Sequence, residues 1–473
     1  MVPERLRTAW SRLPAPYEEL WPRLVALGAP VSAHGVARNL MRTTDALIAA
    51  SLSPAAVAGL AVADLYRQLN GRVGGGIGGG AVALASQDTG AGADANRDEA
   101  LSQAALLCVL VAIPFAVAGV AAGPTLIRLV GAEGEAVDHG AAYLAVTLGV
   151  APLTLPKAVF AQAFSAVGDT KTPTGIGVVA DALNVVGSLA LGLGFAPLGI
   201  PRLGVFGLGV ATATVSVFAT APYVVLLAAR SPYRFVVPSN PTVGKQLLRV
   251  GVPQATEGFA TTFAVFPFSR ILLGLPSGTA VYAGYQVAWR LYGQLVGVIN
   301  AGASVATKIV VGQRLGDDDV AGARAAVRAG VALVALLAGT AGAVMIVAAE
   351  PLAALVIAGD AGSSAVQFAR LLGAVALVGG ANNVVGAALQ GASETRIPLV
   401  SRLVGMFGGM VGLTWLLAVG LNWGTAGAYA GVAATYVLFL AVSTVGYLRT
   451  DWAGRAAEMM AERGTAEAEP SED

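Results

Sequence analysis

A chain of 473 residues that is 56% hydrophobic, 12% charged and near neutral at a formal net charge of +1 is not an ordinary soluble protein, in which charged residues make up about a quarter of the total. The charge balance gives no argument for nucleic acid, and the single cysteine, Cys108, excludes a disulfide framework or a thiol metal cluster. A mean hydropathy of +0.70, arranged in stretches long enough to cross about 30 Å of hydrocarbon at roughly 20 residues each, points to an integral membrane protein. The start, Met1 to Trp21, is polar and mixed in charge, with Glu4, Glu18 and Glu19, and lacks the pattern of a cleaved signal peptide.

Twelve spanning helices are predicted, over 24–50, 55–86, 100–130, 136–167, 172–198, 203–229, 247–274, 279–312, 321–349, 362–391, 397–420 and 424–448. The first carries His34, Arg38 and Asp45 within about 40° of one another at about 100° per residue, with Arg42 beside the stripe. The second holds Asp64, Arg67 and Arg72 and the run Gly71 to Gly80. That run lies inside a helix with no preceding strand, so close helix packing explains it better than a dinucleotide site. In the fifth, Asp181, Asn184 and Ser188 share one face within about 60°. After the sixth comes a proline-punctuated linker, 230–246, containing Pro232, Pro238 and Pro241. Glu257 and Arg270 fall in the seventh helix, Gln286, Arg290 and Lys308 in the eighth, and Arg402 near the start of the eleventh. The segment 449–473 ends in an acidic stretch, Glu467 to Asp473, expected to be a disordered cytoplasmic tail.

The chain repeats itself at an offset of about 225 residues: Gly168-Asp169-Thr170-Lys171 returns as Ser393-Glu394-Thr395-Arg396, Gln87…Gly90 as Gln313…Gly316, Ala58-Gly59 as Ala283-Gly284, and Gly28-Ala29-Pro30 as Gly251-Val252-Pro253. The expected organisation is therefore a cytoplasmic segment 1–23, an N-lobe 24–229, the linker, and a C-lobe 247–448. Each lobe has an even number of spans, so the repeats are parallel, related by an axis along the membrane normal. This predicts an all-α, V-shaped pair of six-helix bundles with a cavity between them. With both termini inside, basic residues concentrate on the cytoplasmic side, among them Arg5, Arg7, Arg12, Arg23, Arg97, Lys171, Arg234, Lys245, Arg314, Arg396 and Arg449, against Arg202, with Arg128 as a second candidate, opposite.

An ionised side chain at mid-membrane costs about 2.5–3.5 kcal/mol on insertion scales, so such residues mark function or pairing. On the functional reading, Asp45 takes up a coupling ion: a proton, which a desolvated carboxyl can bind near neutral pH, or Na⁺ held by Asp45 and Asn184 with neighbouring oxygens. The competing reading is internal salt bridging, Asp45 with Arg38 or Arg42 and Asp64 with Arg67. His34 could shuttle protons or serve as a structural donor, and the repeat places it opposite Glu257. No nucleotide-binding loop, metalloprotease motif or nucleophile elbow occurs, so neither nucleotide-driven pumping nor enzyme chemistry has support.

Thr44-Asp45-Ala46 followed by Leu52 to Ala63, Gly-Asp-Thr-Lys-Thr-Pro at 168–173, Leu183-Asn184, GLGVAT at 207–212 and Gly312-Gln313-Arg314-Leu315-Gly316 together resemble the multidrug and toxic compound extrusion family over about residues 22–448. The resemblance implies a cation-driven antiporter that exports amphipathic organic compounds across the cytoplasmic membrane, expected as a monomer in the lipid bilayer. Carried over from the family, Asp45, Asn184 and Thr212 belong to the cation site. The acid expected four residues after Asn184 is Ser188 here, and Asp181 is the candidate replacement. Glu257 matches the C-lobe acid of other branches. Secondary candidates are His34, Arg38 and Asp64. A flippase for a lipid-linked saccharide, which would use clustered arginines, is the alternative; a membrane scaffold or intramembrane enzyme is a remote one.

Overall fold

A computed structural model describes residues 17–230, 233–357 and 359–468; the expected N-terminal segment before Tyr17 and the last five residues lie outside them. The described chain is helical, and its one β feature is an isolated bridge between Phe195 and Ile200. The helices are α1 (Tyr17–Leu52), α2 (Pro54–Gly90), α3 (Asp94–Leu129), α4 (Glu135–Gly149 continued by Ala151–Ala166), α5 (Lys171–Leu193), α6 (Gly204–Arg230), α7 (Pro241–Leu273), α8 (Gly278–Gly316), α9 (Val320–Val347), α10 (Gly359–Ala374 continued by Ala376–Gly391), α11 (Arg396–Gly420), α12 (Gly424–Arg449) and α13 (Trp452–Ala468). Among the described residues, seven pass a length-and-hydropathy test for crossing a membrane, and nine if each bent pair counts as one. The long α1, α2 and α7 carry the charged residues that such a test penalises. Their outer surfaces fit a lipid solvent: Leu110, Val117 and Val120 on α3 are each more than half exposed, which in water would be an aggregating face.

The repeat is visible in the backbone. The bends of α4 and α10 are both 48°, and their second segments begin at Ala151 and Ala376, which are 225 residues apart. The repeated 168–171 and 393–396 motifs turn out to be the same turn used twice. The Asp169 N–H donates to the Phe164 carbonyl and the Glu394 N–H to the Leu389 carbonyl, each across a residue at positive φ, Gly168 at 91° and Ser393 at 61°. Asp169 Oδ1 then accepts from the N–H groups of Lys171 and Thr172, and Glu394 Oε1 from that of Arg396. The carboxylates thereby satisfy orphan donors at the starts of α5 and α11.

Two predicted segments are corrected. Helix α5 stops at Leu193 rather than 198, because Gly194 at φ 83° leaves the helical region and the chain closes a tight turn through the Phe195–Ile200 bridge. The region after Arg449, expected to be disordered, forms α13 over Trp452–Ala468. Its Trp452 and Met459 are buried, and Arg455 is ion-paired with Glu394; apolar anchors at helical spacing outweigh the polar composition of that segment.

The chain divides into two compact units, one of residues 1–32, 86–92 and 256–462, the other of 33–85, 93–255 and 463–473. Their limits cut α1 at Ser32 and α7 at Ala255, not the linker at 230–246. Glycine explains which segments belong together. In the first unit a Cβ on Gly28 of α1 would lie 2.9 Å from the Gly302 carbonyl oxygen of α8. In the second, a Cβ on Gly76 of α2 would lie 2.6 Å from the Gly251 carbonyl oxygen of α7. Gly28 and Gly251 are repeat equivalents, as are Gly302 and Gly76 to within one residue, so one backbone-to-backbone crossing occurs in each unit. The first unit has an aromatic core in which Phe268, Tyr285, Phe368 and Tyr429 follow one another at centroid distances of 4.9, 5.4 and 4.6 Å. The second packs Ile48, Leu60, Ile127, Leu144 and Leu208.

The linker is tied down at several points: the Val236 N–H donates to Ser102 Oγ, the Tyr233 hydroxyl to the Ala163 carbonyl, and the Arg97 guanidinium lies over the Tyr233 ring; its end is capped by one carboxylate. Glu99 Oε1 on α3, in a residue 6% exposed, accepts from the N–H groups of Ser239 (2.6 Å) and Asn240 (2.7 Å) and from Gln103 Nε2 (2.6 Å). Hydrogen bonds to a charged group contribute about 1.5–3 kcal/mol each. Glu99→Ala is expected to loosen residues 239–240 and through them the rest of the linker, seen as faster limited tryptic cleavage at Arg234 with the transmembrane core still intact; unchanged cleavage would mean that the Tyr233 and Val236 contacts hold the linker without Glu99.

Candidate functional site

The polar residues of α1 and α5 meet at two levels inside the second unit. At the first, His34 Nε2 lies 3.2 Å from Asp181 Oδ2 and 3.4 Å from an Arg38 guanidinium nitrogen. Gly177 on α5 makes the room, since a Cβ there would stand 2.3 Å from the imidazole. The second level is eleven residues further along α1, roughly 16 Å at 1.5 Å per residue. There Asp45 faces Ser188, within hydrogen-bond reach of its hydroxyl. Ser188 in turn donates to Asn184 Oδ1 at 3.3 Å, and Asn184 Nδ2 donates to Thr212 Oγ1 on α6 at 3.1 Å.

Small residues bring these helices close enough. A Cβ on Gly207 of α6 would meet the Leu191 carbonyl of α5 at 2.3 Å, and one on Gly187 of α5 would touch Ala211 at 3.1 Å. The GLGVAT sequence thus presents a face that lets Thr212 reach Asn184. Asp45 is 8% exposed, Asn184 4% and Ser188 0%. Asp45 Oδ1 has no hydrogen-bond partner, and among the described residues no ion pair reaches it. A buried carboxylate oxygen left without a partner is costly unless something binds there.

The salt-bridge reading is divided. Asp64 is indeed paired with Arg67, accepting from its Nε at 2.8 Å and also from a terminal guanidinium nitrogen. Asp45 is not paired with Arg38, which turns to His34. Asp181 does not stand in for the acid missing at Ser188, because it is spent on His34 about two helical turns earlier. Sequence reasoning missed Tyr143 on α4. Its side chain is 1% exposed, its hydroxyl lies within hydrogen-bond reach of Thr212, and Asp45, Asp64 and Arg67 surround it electrostatically. No local signal marks a lone tyrosine in an apolar run.

In the first unit Glu257 is fully engaged. Its Oε1 accepts from Arg402 Nε at 3.2 Å and from a terminal nitrogen at 3.1 Å, and its Oε2 from Gln390 Nε2 at 3.2 Å. Lys308 on α8 interacts electrostatically with the same carboxylate. Glu257, Arg402 and Gln390 border a small polar cavity, with about 80 Å³ open to water-sized contents, that also includes Asn382, Asn383 and Ser443. Among the described residues, no group of three or more His, Cys, Asp or Glu side chains is placed to hold a metal ion.

Comparison with known proteins bears on the family and the fold. The MatE family profile matches at residues 30–190 and again at 255–416, reproducing the offset of the internal repeat. The probable multidrug resistance protein NorM of Geobacillus kaustophilus is 31% identical over 314 residues, covering 64% of this chain and 67% of the relative. Its namesake in Bradyrhizobium diazoefficiens is 26% identical over 418 residues, covering 86% and 88%. Among solved structures, an outward-facing multidrug resistance MATE family transporter of the MOP superfamily superposes with a TM-score of 0.83 over 93% of this chain and 96% of its own, at 20% identity. A MOP superfamily transporter from Pyrococcus furiosus, described as having reversed pocket polarity, gives 0.82 with the same coverage. These neighbours support the twelve-helix fold, in which the bent α4 and α10 are single spans. The chain belongs to the MatE family and is a multi-pass membrane transporter, not an enzyme.

Proposed function

We propose that this transporter is a proton-coupled antiporter that exports amphipathic organic compounds across the cytoplasmic membrane, as a monomer with both termini inside, and that Asp45 is its coupling group. The observation that carries the reading is the partnerless Asp45 Oδ1, buried among Ser188, Asn184 and Thr212. A proton fits there: it neutralises the carboxyl and turns the orphan acceptor into a donor. Sodium fits less well, because a hard cation needs several free oxygens, and Asn184 Oδ1 and Thr212 Oγ1 already accept from Ser188 and Asn184.

Protonation removes the charge that Asp45 shows to Ser188 and to the Arg67–Asp64 pair, so the α1–α5 seam has two states of different stability. Coupling requires no more than that the proton bind those states with different affinity. Pro22 and Pro30 in α1, and Pro253 and Pro267 in α7, interrupt the backbone hydrogen-bond ladder and give places to bend. One charge moved through 100 mV supplies about 2.3 kcal/mol, roughly a fiftyfold gradient of cargo. The lipid-flippase alternative needs free clustered guanidinium groups, and the engagement of Arg67 by Asp64 weighs against it. Efflux of a cationic dye from proteoliposomes tests the reading. A pH gradient should drive it with or without Na⁺; efflux driven by a Na⁺ gradient alone replaces the proton with sodium, and efflux indifferent to both removes the antiport reading.

A further inference from the structure

The cavity of the first unit has the wrong charge for a cation. The single acid on it, Glu257, has both oxygens occupied, by Arg402 and by Gln390. The bases outnumber it, with Arg402 on the cavity wall and Lys308 beside Glu257. The neutral lining contributes the side-chain amides of Asn382, Asn383 and Gln390. Ser443 Oγ donates to Asn382 Oδ1 at 2.8 Å, which leaves the Asn382 amide hydrogens as its other polar end. Arg402 has a second contact besides Glu257, the Phe439 ring, whose centroid lies 4.6 Å from the guanidinium carbon. About 80 Å³ of the cavity is open to water-sized contents, room for one end group such as a carboxylate and not for a whole ligand, since complete ligand pockets run to about 300–1,000 Å³.

We infer that this cavity is an anion subsite, in which the carboxylate of a zwitterionic amphipathic cargo exchanges with Glu257 for the Arg402 guanidinium, assisted by the amides of Gln390 and Asn382. Guanidinium and carboxylate match in geometry, two parallel N–H donors to two oxygens, and Glu257 already demonstrates the pairing that the cargo would replace. In the resting arrangement Glu257 acts as an internal surrogate ligand. It keeps Arg402 neutralised and makes anionic binding an exchange of one carboxylate for another, instead of the burial of a bare charge, which is far more costly. This rests on the export reading and narrows it: the two lobes divide the work, a proton at Asp45 and the acidic end of the cargo at Arg402.

A matched dye pair tests the subsite, a rhodamine bearing a free carboxylate and the methyl ester of the same dye, titrated by fluorescence anisotropy against the full purified chain in detergent. The carboxylate form should bind about tenfold or more tightly than the ester, the range expected for a charge-assisted contact. Arg402→Gln should abolish that preference and leave ester affinity within about twofold, while Arg402→Lys should retain part of it. Glu257→Gln removes the competitor without removing a donor and should tighten carboxylate binding, which keeps the test decisive if Arg402 variants fold poorly. Ester binding as strong as carboxylate binding, a preference that survives Arg402→Gln, or weaker carboxylate binding in Glu257→Gln each overturns the inference. A protein that discriminates between the dyes but moves neither in proteoliposomes sinks the export reading and leaves the subsite standing; one that exports both without discriminating does the reverse.

Discussion

Asp45→Asn is expected to abolish pH-driven efflux, by about a hundredfold or more, in protein that still reaches the membrane and melts like the parent. The substitution keeps shape and a hydrogen-bonding end, so the Ser188–Asn184–Thr212 chain can still close around it. What it removes is the capacity to be charged in one state and neutral in the other. Without that difference the gradient has no handle on the conformational equilibrium. The loss should be of coupling, not of cargo recognition: binding of the carboxylate-bearing rhodamine in detergent should stay within about twofold, since its carboxylate is assigned to Arg402 in the other unit. Ser188→Asp sharpens the test. It restores the acid that the family pattern has at this place and sets two carboxyl groups side by side, of which one is held protonated to higher pH. Its efflux should therefore persist at a more alkaline pH than the parent's. Undiminished efflux in Asp45→Asn would mean that the ion binds elsewhere, and the His34–Asp181 pair would be the first place to look.

The helices were legible because each is a long apolar run, and the duplication because short polar motifs returned at one offset. What those motifs do was not legible. Gly168-Asp169-Thr170-Lys171 looked like a family fingerprint and is a helix cap, its carboxylate satisfying backbone donors at the start of α5. Asp45 could be found because a charge in an apolar helix is conspicuous, and its neighbours Asn184 and Ser188 because, four residues apart, they share one helix face. Which arginine takes which acid was not recoverable from spacing alone. Arg38 is close to Asp45 on the helical wheel yet reaches His34, because Gly177 opens a slot for the imidazole on the facing helix. The i,i+3 pairs, Asp64–Arg67 and Asp94–Arg97, are the kind that can be read locally. Long-range partners such as Gln390 for Glu257 and Tyr143 for Thr212 depend on helix packing, which a one-dimensional pattern does not contain. The cut of α1 at Ser32 and α7 at Ala255 was hidden for the same reason: both helices are continuous in sequence, and the change of partner lies in which glycine backbones they touch.

Two adjacent glycines in α2 should respond in opposite ways to the same substitution. A Cβ on Gly75 meets nothing within 4 Å, whereas one on Gly76 would sit 2.6 Å from the Gly251 carbonyl oxygen and 2.7 Å from both the backbone nitrogen and Cβ of Ala255. Gly75→Ala exchanges a residue that is costly in a helix for a good helix former, a gain of roughly 0.5–1 kcal/mol where nothing is displaced. Gly76→Ala forces α2 and α7 apart at the point where their backbones cross. The obstacle is peptide backbone and cannot rotate away, so the penalty falls in the overpacking range of about 1–3 kcal/mol. In detergent this should lower the melting midpoint by about 5 °C, while Gly75→Ala leaves it equal or slightly higher; Gly76→Leu should fail to accumulate as folded protein. Because Gly28 and Gly302 form the equivalent crossing in the other unit, Gly302→Ala should reproduce the Gly76→Ala loss, its own Cβ facing the Gly28 carbonyl oxygen. Equal melting of Gly75→Ala and Gly76→Ala would mean that the crossing is looser than its geometry, and that the exchange of α1 and α7 between units is held by something other than glycine.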